Sequence, residues 1–343
     1  MGCSHTPSTK QDKAVMNNYF RLKTKEIEKL RTEVHTKEEK LFLDIYKSAR
    51  SDKEVNFCNL VLSQDIYFEL LQILKTNEKI EYLNWTNILF QGSTDVIPQL
   101  YHILKGKSTL KKIEFDYITN LGNKKGNALY RLSRELPSLE SVVLKEIELE
   151  QEDAEYLGLL IAKSNKNLIY FELESIYFFD KTEYFLDGFN QNNSIKELVL
   201  NKLNLNANNF EFLIQALTTN NCLTTLDVSN NPIGHGTEAI KKYPLVNLEK
   251  LIMSNCSIYS DDFSLLCQGI EKDKQLKHVE LNNNNIDNSA IAVKAIERLF
   301  KENKVLQVFS LKFNSIGKVD IEQYVDDKAF QRIMIDEVNQ IFS

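Results

Sequence analysis

The amino-acid sequence predicts an α/β solenoid, in which a parallel sheet lines one side and helices cover the other. Two observations predict it. Short stretches with apolar residues at alternate positions recur about every 28 residues, and each is followed by a segment with helical spacing of its apolar residues. One strand and one helix cannot bury their apolar faces alone, whereas stacked neighbours share a continuous core.

The repeats share the frame L-x-x-L-x-L-x-x-N/C-x-L. It is clearest in LTTLDVSNNPI (223–233), LEKLIMSNCSI (248–258), LKHVELNNNNI (276–286) and LQVFSLKFNSI (306–316). Weaker copies begin at residues 52, 80, 110, 139, 168 and 195. Because the ten starts are spaced by about 28 residues on average, the sequence predicts about ten repeats over residues 52–316.

This frame resembles the leucine-rich repeats of the ribonuclease-inhibitor-like class, which includes ribonuclease inhibitor, the Ran GTPase-activating proteins and tropomodulin-like actin regulators. The resemblance covers residues 52–316 and implies a horseshoe with the sheet on its concave face and helices on its convex face. The Asn or Cys that ties neighbouring loops in this class is present only as Asn231, Cys256, Asn284 and Asn314. The first six repeats are apolar there, so we expect different turns and a more irregular N-terminal half.

Helical caps are expected at both ends of the repeats, because terminal repeats would otherwise expose apolar surface. Residues 10–51 have apolar residues at three- and four-residue steps, which predicts an amphipathic N-terminal helix. Residues 317–343 are predicted to be a C-terminal helical cap, with one last helix in DDKAFQRIMIDEVNQIF (326–342). Residues 1–9 are predicted to be a flexible arm.

The N-terminus begins MGCSHT, which fits the M-G-x-x-x-[ST] signal for N-myristoylation of Gly2 once Met1 is removed. One myristoyl chain binds membranes only marginally, and Cys3 is placed to carry a second chain as palmitate. Residues 1–50 add attraction to anionic lipid, with eleven Lys and Arg against seven Asp and Glu. The expected location is therefore the cytoplasmic face of a membrane. Pro7 is unfavourable for that signal, so a coincidental start is the alternative.

The sequence offers no constellation for catalysis. The five histidines and five cysteines are scattered without metal-ligand spacing, and the phosphate-binding and nucleophile motifs are missing. We therefore expect no enzyme activity, no metal, no cofactor and no small-molecule substrate. The net charge of −6 argues against a nucleic-acid partner, since phosphate contacts need Lys and Arg.

The remaining candidate is the concave face, where aromatic residues beside an acidic stripe favour a basic protein partner. The predicted partner-binding residues are Tyr82, Glu114, Asp116, Tyr117, Val143, Tyr170, Glu172, Glu174, Val199, Asp227, Ile252, His278 and Glu280. The sequence thus predicts a non-enzymatic scaffold on a membrane. The alternatives are a small-GTPase regulator resembling the Ran GTPase-activating proteins and an actin-cytoskeleton regulator. The long acidic tail of the former is missing from residues 317–343, which counts against that alternative.

Overall fold

The computed structural model describes residues 37–91, 95–119, 121–122, 124–163, 166–178 and 181–335. The chain divides into two compact units, at the junction of Ile169 and Tyr170. Each unit alternates strands with helices, and within each unit every strand pairs in parallel with the next strand along the chain. The α/β leucine-rich-repeat class predicted from the sequence is confirmed.

The first unit has four strands in chain order. The strands are β1 Glu54–Ser63, β2 Tyr82–Gln91, β3 Lys112–Thr119 and β4 Ser141–Lys145. The helices are α1 Lys37–Ser51, α2 Gln64–Thr76, α3 Val96–Leu104, α4 Lys125–Glu135 and α5 Gln151–Lys163. The part of the predicted N-terminal helix that the structure describes, α1, is helical. Residues 1–36 lie outside the described residues.

The second unit has, in its described residues, seven strands of two to five residues, again in chain order. The strands are β5 Tyr170–Glu174, β6 Glu197–Asn201, β7 Thr225–Asp227, β8 Lys250–Ile252, β9 His278–Glu280, β10 Val308–Ser310 and β11 Ile333–Met334. The α-helices are α6 Thr182–Asp187, α7 Ala207–Leu217, α8 Glu238–Lys242, α9 Ser260–Ile270, α10 Ala290–Glu302, α11 Lys318–Ile321 and α12 Asp327–Phe330. Two 3₁₀ turns, Gly188–Asn190 and Gly234–Thr237, precede β6 and α8.

The core of each unit lies between its strands and its helices, because alternate strand residues point toward the helices. In the first unit Phe57 and Trp85 stand in register on β1 and β2 with ring centroids 4.4 Å apart, and Tyr67 of α2 packs edge-on against Trp85. In the second unit Phe309 of β10 packs against Phe263 and Phe300 of the helices. The opposite side of each sheet, here called the open face, carries the remaining strand side chains.

The predicted asparagine ladder is confirmed in the second unit. The side-chain oxygen of Asn231 accepts the backbone N–H groups of Leu203 and Leu205, and its nitrogen donates to three backbone carbonyls. Asn284 and Asn314 repeat this arrangement in the next turns. One buried amide thereby satisfies loop groups of two successive repeats, so this row is structural.

The first six repeats bury an apolar residue at the ladder position: Leu60, Ile88, Ile118, Ile147, Ile176 and Leu203. In the first three, the strands continue through this position, so the parallel strand partner satisfies the backbone. The expected difference in the turns is confirmed. The expected irregularity is wrong for these repeats, because strands of eight to ten residues replace the turn.

The C-terminal segment corrects one prediction. The apolar stripe in residues 326–342 predicted a single helix, whereas α12 ends at Phe330 and β11 follows at Ile333 and Met334. Phe309 and Leu311 donate their N–H groups to the carbonyls of Arg332 and Met334, at 2.8 Å each. The pairing groups of β10 favour a strand here, because a helix would leave those two amides without partners. Residues 336–343 lie outside the described residues.

Candidate binding face

The open face carries a central row of residues that stand opposite one another on successive strands. In the first unit the row is Asn56, Asn84, Glu114 and Val143. In the second unit it is Glu172, Val199, Asp227, Ile252, Glu280 and Ser310. The sequence frame predicts this alignment correctly, since every interval between repeats keeps the strand register.

Most of the predicted binding residues lie on this face. Tyr82, Glu114 and Asp116 do so in the first unit, and all eight predicted residues from Tyr170 to Glu280 do so in the second. Tyr117 lies at the carboxyl end of β3, where its side chain is 52% exposed. That these residues bind a partner stays a prediction.

Val143 is buried. Its side chain is only 2% exposed, although it lies in the central row. It stands in register beside Glu114 of β3. Val143 is predicted to be a partner-binding residue, and its burial leaves almost no surface for a partner to contact.

Lys112 and Glu197 are among the charged residues of the open face that the sequence analysis did not name. Lys112 lies opposite Tyr82 and pairs with Glu114 at 2.7 Å, and Glu197 lies opposite Tyr170. Both stand two positions before the central row. The same alternation that located the central row gives these positions, because side chains two apart share a face.

The open face of the second unit is strongly acidic. Its described strands carry five carboxylates and one lysine: Glu172, Glu174, Glu197, Asp227, Glu280 and Lys250. The Tyr170 hydroxyl donates to Glu172 at 2.6 Å. Burial and this hydrogen bond to Glu172 raise the pKa of Tyr170, so the hydroxyl remains a proton donor at neutral pH.

The negative charge of Glu280 is offset by two neighbouring side chains, those of Lys250 and His278. Lys250 lies 3.1 Å from its carboxylate, and His278 lies 2.7 Å from the same oxygen. Burial raises the pKa of Glu280, but the hydrogen bonds and charges of Lys250 and His278 outweigh burial and hold it below its ordinary value. The acidic character available to a partner therefore lies nearer β5, β6 and β7.

Asp227 differs from Glu280 in its surroundings. Its oxygen Oδ1 accepts the N–H of Ser229 at 2.9 Å. Burial raises the pKa of Asp227, because the hydrogen bonds from Ser229 and the charge of Lys250 do not fully compensate for lost hydration. A carboxylate in this state gains from an additional cation.

A cavity of about 460 Å³ lies on the helix side of the first unit, between α3, α4 and α5. Arg131 stacks on Tyr101 at 4.3 Å and hydrogen-bonds its hydroxyl at 2.8 Å. Asp153 is buried and accepts the N–H groups of Gly126 and Glu150. The carboxylate of Asp153 therefore serves to join α4 and α5, and the cavity lining is mixed in charge.

In the part of the chain that the structure describes, no three His, Cys, Asp or Glu residues are placed to hold a metal ion. Nor is any helix of those residues long and apolar enough to cross a membrane. Burial raises the pKa of Cys256 to about 12 and also raises the pKa of Cys267, so both are protonated core thiols.

No family model matches the chain, and the curated proteins to which it is similar are much longer than the matched stretch. It is 28% identical over 101 residues to NACHT, LRR and PYD domains-containing protein 5 of Mus musculus, covering 28% of this chain and 9% of that protein. It is 31% identical over 98 residues to NACHT, LRR and PYD domains-containing protein 4C of the same species, covering 27% and 10%. The match thus spans about a tenth of these relatives.

Among solved structures, an internalin from Listeria monocytogenes is similar, with 15% identity and a TM-score of 0.46, covering 94% of this chain and 93% of the internalin. The curated relatives carry LRR in their names. Together with the repeat frame and the parallel strands, they identify a fold of the leucine-rich-repeat type.

Proposed function

We propose that this chain is a non-enzymatic protein–protein interaction scaffold that binds a basic protein partner on the open face of its second unit. The observation that carries the proposal is the in-register face with five carboxylates against one lysine. Complementary charge favours a basic partner and rejects an acidic one. Stacked repeats also supply an extended surface, which suits a protein better than a small molecule.

We also propose that the repeats are of the ribonuclease-inhibitor-like class. Their period of about 28 residues, and α-helices of eleven to thirteen residues such as α7, α9 and α10, support this assignment.

The binding proposal is tested by reversing charge on one side of the sheet at a time. Glu172→Lys with Glu197→Lys changes the open face, whereas Glu211→Lys with Glu238→Lys changes the helix side of the same unit. Immobilised full-length protein is incubated with lysate of its source cells, and captured proteins are remeasured as purified pairs by calorimetry. We expect a basic partner that wild type and the helix-side variant bind and the open-face variant does not.

Higher salt should weaken the same interaction, since exposed charges are screened within about 10 Å at 0.1 M ionic strength. A partner that survives the open-face reversal but is lost in the helix-side variant would place binding on the helices and overturn the proposal. Stimulated GTP hydrolysis, or co-sedimentation with actin, would replace the scaffold by one of the two alternative regulators.

We further propose that acylation of Gly2 and Cys3 anchors the protein on the cytoplasmic face of a membrane. These residues lie outside the described residues, and the support is the MGCSHT sequence with its basic neighbours. Membrane flotation of protein expressed in eukaryotic cells tests it, with Gly2→Ala and Cys3→Ser as variants. Wild type should float and both variants should stay in the soluble fraction. Soluble wild type would contradict the anchor, and Pro7 then accounts for the failed signal.

A further inference from the structure

The middle of the acidic face contains one carboxylate between two apolar side chains. Asp227 of β7 stands in register with Val199 of β6 on one side and Ile252 of β8 on the other. All three side chains are half-buried. Strands in a sheet lie about 4.8 Å apart, so the three form one continuous strip of apolar, acidic and apolar surface.

The carboxylate of Asp227 is hydrogen-bonded by its own turn, from the N–H and the side chain of Ser229. The N–H of Ser229 donates to Oδ1 at 2.9 Å. Lys250 of β8 is bonded to Glu280 at 3.1 Å and stands in register with Thr225, and its charge offsets only part of the effect of burial on Asp227. Neighbouring Glu197 and Glu172 add negative charge, so the strip attracts a cation and does not supply one.

An amino-acid side chain that matches this strip needs an aliphatic stem and a small cationic head. Lysine has both, because its methylene groups pack on apolar surface while its ammonium keeps its hydrogen bonds. Arginine matches less well, since its planar guanidinium gains most from two free carboxylate oxygens. Ser229 already occupies part of the hydrogen-bonding capacity of the Asp227 carboxylate.

We propose that Val199, Asp227 and Ile252 form a subsite for one lysine side chain of the protein partner. This inference rests on the proposed scaffold function and names the partner chemistry at its centre. The ammonium binds the carboxylate of Asp227, and the stem lies across Val199 and Ile252.

The lysine subsite is tested with n-butylammonium, which reproduces the side chain of lysine without a peptide. Full-length protein with labelled Val and Ile methyl groups is titrated, and the shifts of the Val199 and Ile252 signals give the affinity. n-Butanol has the same stem without charge, and n-butylguanidinium carries the head group of arginine. We expect n-butylammonium to bind roughly threefold or more tightly than n-butanol, as a partly exposed ion pair allows.

Asp227→Asn should bring n-butylammonium down to the affinity of n-butanol, while the matched amide variant Glu238→Gln on α8 should leave it unchanged. Unaltered methyl signals elsewhere in Asp227→Asn show that the variant is folded. Equal affinities for the charged and neutral probes, or an Asp227→Asn protein that binds like wild type, would refute the subsite. Tighter binding of n-butylguanidinium would refute the assignment to lysine.

The two proposals fail separately. If the probe result is negative while the open-face charge reversal abolishes partner binding, the scaffold stands and the lysine subsite falls. If the probe binds as expected but the partner survives the charge reversal, the subsite exists and the proposed partner surface is wrong.

Discussion

At the scale of single residues, one backbone conformation recurs in all ten repeats. The residue before the ladder position has φ between 46° and 60°, in the left-handed region. Asn tolerates this region better than other non-glycine residues, and half of the ten positions have it: Asn59, Asn87, Asn230, Asn255 and Asn283. Tyr117 and Phe313 occupy the same position, where a bulky side chain is disfavoured.

Replacing Tyr117 by Asn should stabilise the protein by about 1 kcal/mol, because the strain of a bulky residue in this conformation is relieved. The new amide would also extend the pair in which Asn87 donates to Asn59 at 2.6 Å. Urea unfolding measures the change. Tyr117→Gly serves as the control that relieves strain without an amide. A Tyr117→Asn protein less stable than wild type would show that the exposed ring contributes more than the strain costs.

The ionised carboxylate of Asp227 should measurably lower the free energy of unfolding at neutral pH. Burial raises its folded pKa above the unfolded value of about 3.9, so the ionised form is the one that folding disfavours. Asp227→Asn should therefore be more stable than wild type at about pH 7. The difference in free energy of unfolding between the two proteins should shrink as pH falls through the raised pKa of Asp227, and it should vanish below about pH 3.9. Paired urea titrations across this range measure it, and a constant difference would contradict the assignment.

At the scale of elements, helices of neighbouring repeats approach closely where a glycine faces backbone. A Cβ on Gly126 of α4 would lie 2.8 Å from the Cα and carbonyl oxygen of Asp153 on α5. The N–H of Gly126 donates to the buried carboxylate of Asp153 at 2.7 Å. The glycine thus permits both the close approach and the hydrogen bond.

Gly126→Ala should destabilise the protein by about 1–3 kcal/mol, through overpacking against backbone that cannot move aside. Helix propensity alone predicts the opposite sign, a gain of about 1 kcal/mol. Thermal and urea unfolding of Gly126→Ala show whether overpacking or helix propensity dominates. Asn127→Ala, at the next position of the same helix, reports the propensity gain without the clash. A stabilised Gly126→Ala protein would show that α4 and α5 can move apart.

The elements also show what the sequence can predict. Ten of the eleven strands in the described residues were located, because the alternation of apolar residues in the repeated frame has the period of a strand. The lengths of β1 to β3 could not be predicted. Leu60, Ile88 and Ile118 show that the asparagine ladder is absent from these repeats, but they do not show which backbone pairing takes its place. On the open face, register was predictable, whereas the burial of Val143 and the pairing of Glu280 with Lys250 depend on neighbouring repeats.

At the scale of the whole chain, every internal strand is satisfied by the repeats before and after it, so the last repeat needs another partner. β11 supplies it by pairing with β10. Arg332, directly before β11, stacks its guanidinium on Phe300 at 4.8 Å and donates to the carbonyl of Leu306. The apolar residues of 326–342 were predicted to form a helix because Phe330 and Ile333 are three residues apart. The same spacing is also compatible with a short helix that ends before a short strand.

Deleting residues 327–343 should therefore open the edge of β10. Phe309 and Leu311 lose their carbonyl partners, which costs roughly 2 kcal/mol or more, and an open strand edge promotes self-association. Hydrogen exchange of these two amides and sedimentation velocity measure the two effects. Deletion of residues 336–343 alone is the matched truncation, so the difference between the two proteins reports α12 and β11. If both truncations exchange and sediment alike, β11 does not cap the repeats, and β10 must be protected by its own helix layer.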